Sequence, residues 1–124
     1  MTKICLNSRD ELLMLDLDKI AYLKANGNYT DLTYMYEQKQ NLSISLSKLE
    51  EILRNARPAD GPARFVRLGR SLIINQTYLT AVKVLQQKLI LSDCEGHLHV
   101  LTVPKEVLKK YKEIVAGVHG AARK

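Results

Sequence analysis

The chain has 124 residues, with 46% hydrophobic and 26% charged residues, two cysteines and a formal net charge of +6. That length suits one domain with a core built without metal or disulfides, and the balance excludes both a disordered chain and a membrane-inserted one. No run of apolar residues approaches a membrane span and the first residues lack the apolar stretch of a secretory signal, so a cytoplasmic location is expected, with Cys5 and Cys94 as buried free thiols.

Ile4-Cys5-Leu6 and Leu12-Leu13-Met14-Leu15 are short apolar runs around a polar interval, the pattern of an opening hairpin. Asp16 is placed to cap a single turn before Ile20-Ala21-Tyr22-Leu23 resumes a strand. Lys24-Ala25-Asn26-Gly27-Asn28 then reads as a tight turn, because Asn-Gly favours left-handed backbone conformations. Its outgoing strand, Tyr29 to Tyr36, is rich in aromatic and β-branched residues. The period changes at Ser45-Leu46-Ser47-Lys48-Leu49-Glu50-Glu51-Ile52-Leu53, an amphipathic helix that Ser45 or Ser47 can cap and that Arg57-Pro58 ends. Ala59-Asp60-Gly61-Pro62-Ala63 reads as a loop within the domain.

Phe65-Val66-Arg67-Leu68-Gly69-Arg70-Ser71-Leu72-Ile73-Ile74-Asn75 holds two strand-like apolar runs with Gly69 between them. A glycine there points to a bulge or a close backbone approach, which puts Arg67 and Arg70 at a bend on rigid supports. The pair suggests an anionic partner; a half-exposed strand edge with ordinary surface arginines is the plain alternative. Asn75 is expected to satisfy backbone groups locally. Tyr78–Leu85, Lys88–Ser92 and His97–Val103 form three further strands with turns at Gln86-Gln87 and Asp93–Gly96, and Pro104 opens a helix with Val107, Leu108, Tyr111, Ile114 and Val115 on one side. The domain is expected over residues 1–117, with 118–124 as a flexible tail.

Charge is distributed unevenly. Residues 1–62 hold eight basic and nine acidic side chains, whereas residues 63–124 hold eleven basic and four acidic ones. A one-sided basic excess attracts polyanions, nucleic acid first and an anionic membrane surface second; a solvated basic helix and tail is the plain alternative. No nucleophile constellation, phosphate-cradling glycine loop or acid/base pair stands out, and His97 and His99 lack a third metal ligand, so neither an enzyme nor a cofactor is expected. What remains is polar residues at loop tips of a strand scaffold: Asn26, Asn28 and Tyr29 at one hairpin, Arg67 and Arg70 at the bend, and Lys105 where the last strand enters the last helix. Arginine can fork onto guanine or phosphate, asparagine can pair with adenine, and lysine supplies a point charge.

Ile20 to Thr30, Ser45 to Leu53 and Phe65 to Asn75, with the strand-to-helix junction at Pro104-Lys105, resemble in order the motifs of LytTR-type DNA-binding domains, and together they span about residues 4 to 115. The resemblance implies a mainly β, elongated antiparallel hairpin domain with one mid-chain and one C-terminal helix, whose loops enter successive major grooves of double-stranded DNA at paired direct repeats. It implies Arg70 as a principal contact, Asn28, Tyr29 and Thr30 in the first contact loop, Lys105 in the last, and Arg67 in support. Gly69 stands where the family commonly has histidine, and Pro104-Lys105 where Ser-Arg is usual. Lysine keeps the charge without arginine's bidentate fork.

Such domains serve transcription regulation as output domains of two-component response regulators in bacteria. Because Met1 begins almost at the first strand, the expectation is a stand-alone regulator or an excised domain, acting with a second copy on the adjacent repeat or with a sensor or regulator protein. The rival reading is a protein-interaction module that kept the fold and lost the DNA.

Overall fold

The computed structural model describes residues 3–56 and 63–122. Strands β1 (Lys3–Asn7) and β2 (Leu12–Asp16) form the opening hairpin, with Ile4 opposite Leu15 and Leu6 opposite Leu13. Those four side chains turn inward, while Cys5, Leu12 and Met14 face outward. Asp16 accepts from the Asp18 N–H at 3.1 Å and closes the turn that follows.

Five strands make the central sheet in the order β5-β4-β3-β7-β6: β3 (Ile20–Asn26), β4 (Tyr29–Tyr34), β5 (Lys39–Leu42), β6 (Phe65–Leu68) and β7 (Leu72–Asn75), all antiparallel. Alternation divides their side chains between two cores. On one face Leu23, Leu32, Leu42 and Ile73 pack against helix α1 (Leu46–Asn55) through Leu46, Leu49 and Leu53, the positions its period marks. Ser45 caps α1, its hydroxyl accepting from the Lys48 N–H at 3.2 Å. Arg57-Pro58 and the loop expected through Pro62 lie outside the described residues.

On the other face Leu68, Leu72 and Ile74 meet a three-stranded sheet, order β10-β9-β8, of β8 (Leu79–Lys83), β9 (Lys88–Ser92) and β10 (Leu98–Thr102). Leu89, Leu91 and Val103 fill that layer together with Leu108 and Tyr111 of helix α2 (Lys105–His119). The fully buried Asn75 ties the layers: its amide donates to the carbonyls of Leu17 at 3.4 Å and Ile20 at 2.9 Å, and its oxygen accepts from the Thr77 N–H at 3.0 Å. Its partners are thus local, as expected, and also some 55 residues away in sequence. The Tyr111 hydroxyl donates to Gln76 at 2.7 Å, and burial pushes its pKa up to about 12.

Three expectations change. Both cysteines are exposed, Cys5 on the outer face of the first hairpin opposite Met14 and Cys94 in the β9–β10 turn. Gly69 sits in no bulge; with Arg70 and Ser71 it forms the three-residue loop closed by the Leu68–Leu72 pair, at a φ of 70°. Helix α2 runs through Gly117 to His119 and ends at Gly120, whose left-handed backbone lets the Ala121 N–H reach the Ala116 carbonyl at 3.1 Å.

Candidate nucleic-acid interface

Register alone brings the expected loops to one end of the molecule. Asn26 pairs with Tyr29 across the loop Gly27-Asn28, where Gly27 takes a φ of 61° at the first loop position. Beside it Lys24 pairs with Leu72 and the Ala25 N–H donates to the Ser71 carbonyl at 2.8 Å, so the β6–β7 loop opens at the same end. The first turn of α2 lies against that loop: a Cβ at Gly69 would stand 3.7 Å from Val107 Cγ2. Lys24, Ser71, Leu72, Thr102 and Pro104 line one shallow groove, which places Lys105 next to Arg70's loop.

The two arginines do different things. Arg67 Nη1 donates to Ser47 Oγ at 2.9 Å and Glu50 Oε1 at 3.1 Å, and Nη2 donates to the Arg70 carbonyl at 2.5 Å. It is a strut between α1 and the β6–β7 loop. Arg70 is exposed, and among the described residues its guanidinium has no partner. Asn28 and Lys105 are likewise exposed, and Tyr29 is half-exposed at 50%.

Thr30 is the exception among the expected contacts. It is fully buried and its hydroxyl donates to the Ile44 carbonyl at 2.8 Å, because its position on β4 points inward between Tyr29 and Asp31. It anchors the segment after β5 and does not face solvent. Asp31, outward on the next position, accepts from Asn26 at 3.2 Å and Asn41 at 2.8 Å, bracing the base of the first loop.

Sequence reasoning missed Lys24, Lys83 and Lys88, all exposed at this end. Lys83 pairs with Lys88, and Lys88 with Thr102, directly before the β10–α2 junction. The histidines lie elsewhere: His99 donates from Nε2 to the Met35 carbonyl at 2.9 Å with its ring edge-on to Tyr22, and His97 Nδ1 sits 2.6 Å from Asp93. Hydrogen bonds from the Glu95 and His97 N–H groups and from the His97 ring outweigh desolvation and hold the Asp93 carboxyl below its usual range. Among the described residues no group of three or more side chains could hold a metal ion, and no helix is long and apolar enough to cross a membrane.

The scaffold is two-layered and antiparallel with cationic and amide side chains on loops at one end, an arrangement that suits a nucleic-acid partner. The chain belongs to the LytTr DNA-binding domain family, whose profile matches residues 10–115. Among solved structures it is similar to a LytTr DNA-binding domain from Bacillus cereus at 22% identity and a TM-score of 0.59, over 93% of this chain and 97% of that one. That likeness bears out the mainly β fold with two helices. A comparison with curated proteins finds no significant match.

Proposed function

We propose that this chain is a sequence-specific regulator of transcription that binds double-stranded DNA through the loop end and has no enzymatic activity. The observation that carries this reading is the convergence of the Gly27-Asn28 loop, the Gly69–Ser71 loop and the β10–α2 junction at one end, with the Arg70 guanidinium unpartnered there among the described residues. Arg70 and Asn28 read base edges, Tyr29 packs beside them, Lys105 holds phosphate, and Arg67 sets the height of Arg70's loop. Loops on one side of a duplex suit successive major grooves, and paired direct repeats let a second copy bind alongside. A place as the output end of a two-component system is supported by the Bacillus cereus neighbour, which is described as part of a response regulator.

The experiment is a titration of labelled protein with short duplexes of mixed sequence, followed by backbone amide shifts. Shifts at Asn28, Gly69, Arg70 and Lys105 support the reading. Shifts confined to β10 and β9, with the loops silent, overturn it.

One observation favours a second surface. β10 is an edge strand, and Leu98 and Val100 on its outer face are about half exposed beside Ile90. An edge strand with exposed apolar residues is a natural seat for a protein partner, so a regulator that docks a sensor or another protein there is the alternative reading of the fold.

A further inference from the structure

We infer that the β8–β9 turn is a fourth DNA-contacting element, in which Lys83 and Lys88 hold the phosphate backbone beside the three loops already described; this rests on the DNA-binding reading above. The two lysines are directly opposed across an antiparallel pair. Their Cβ atoms are thus about 5 Å apart, a placement that is destabilising for like charges unless an anion lies between or above them. Among the described residues neither has a carboxylate partner, whereas the exposed cations of α1 do: Lys48 lies 3.7 Å from Glu51 and Arg54 3.6 Å from Glu50.

Position makes the pair part of the same surface. Lys88 is the strand neighbour of Thr102, and the Val103 N–H donates to the Gln87 carbonyl at 3.0 Å, so the turn is hydrogen-bonded to the junction that delivers Lys105. The turn itself is tight: the Gln87 N–H donates to the Val84 carbonyl at 3.1 Å with Gln87 at a φ of 55°. A rigid ribbon therefore presents two ammonium groups on the outer face of the second sheet, beside the junction that leads into Lys105. Lysines on a fixed ribbon suit neighbouring phosphates and carry no base information, so they add affinity and salt dependence without changing sequence preference.

The test compares wild type, the double variant K83Q/K88Q and a control double variant K19Q/K39Q, whose exposed lysines sit at the opposite end of the central sheet and remove the same charge. Each is titrated with a selected duplex and with an unrelated duplex across a range of salt concentrations, after thermal melting has shown that all three fold. K83Q/K88Q is expected to flatten the slope of log affinity against log salt by about 0.9 per lysine, weakening both duplexes by the same factor. K19Q/K39Q is expected to leave the slope close to wild type. If the two double variants flatten it equally, the contact is only a general charge effect and the inference fails while the DNA-binding reading stands. If wild type itself shows no salt-dependent binding to either duplex, both fail.

Discussion

Arg67 holds Arg70 in place through the backbone: its Nη2 donates to the Arg70 carbonyl at 2.5 Å while Nη1 is fixed by Ser47 and Glu50 of α1. The β6–β7 loop is therefore set by a helix packed on one face of the sheet. Arg67→Lys keeps the charge and loses the planar fork, so it cannot make all three bonds at once. We expect Arg67→Lys to weaken DNA binding about tenfold, equivalent to about 1.4 kcal/mol, with Glu50→Gln in the same direction and smaller. Fluorescence anisotropy on one duplex checks this; unchanged affinity in Arg67→Lys contradicts the strut.

Removing the exposed side chain of Arg70 leaves the loop backbone intact. Arg70→Ala is expected to cost about 1–3 kcal/mol on a selected sequence and to erode discrimination between it and a scrambled one. Lys109→Ala should cost less and cost the same on both sequences. Competition binding separates the two outcomes, and melting temperatures should be unchanged in both variants.

Asn75 is buried with three hydrogen bonds that join β7 to the β2–β3 turn and to the short 3-10 turn after it. Asn75→Leu takes the partner from the buried Ile20 carbonyl and from the part-buried Thr77 N–H. The expected loss is about 1–3 kcal/mol per orphaned group, read from the midpoint of urea unfolding. A midpoint equal to wild type would sink this assignment.

Alkaline pH acts through Tyr111. Its neutral form is the one the core holds, and burial raises its pKa from the ordinary 10.0 to about 12. An unfolded chain releases that proton more readily, so this part of the stability is fully present below pH 10 and is lost as pH rises towards 12. Tyr34 and Tyr78 are raised in the same direction, mainly by burial. Tyr111→Phe should flatten the fall of the melting temperature above pH 10; an unchanged profile would contradict this account.

Much of the scaffold was legible because local signals agreed with tertiary packing. The period of Leu46, Leu49 and Leu53 located α1, Ser45 capped it, and Asn26-Gly27 located a hairpin end. Exposure was legible where a residue stands in a loop, as with Asn28 and Arg70. It was not where facing depends on strand phase: Thr30 is one position beyond exposed Tyr29, and that single step turns its hydroxyl to Ile44. Gly69 reads as a bulge because a positive φ serves bulge and hairpin loop alike, and only the Leu68–Leu72 pair decides.

The Lys83–Lys88 pair was hidden by turn length. A two-residue turn at Gln86-Gln87 opposes Lys83 to Ile90, whereas the four-residue turn from Val84 to Gln87 opposes it to Lys88. The cysteines misled for a different reason: composition favours buried thiols on average, but Cys5 falls on the outward phase of a two-stranded hairpin.

The most direct test of the central claim is selection of randomised duplex DNA by the purified protein, with sequencing of the bound fraction at two salt concentrations. An enriched repeated motif is expected whose affinity falls as salt rises and whose enrichment disappears with Arg70→Ala. Recovery of no motif, with only weak salt-sensitive binding left, would contradict sequence-specific DNA binding and turn attention to the edge strand β10.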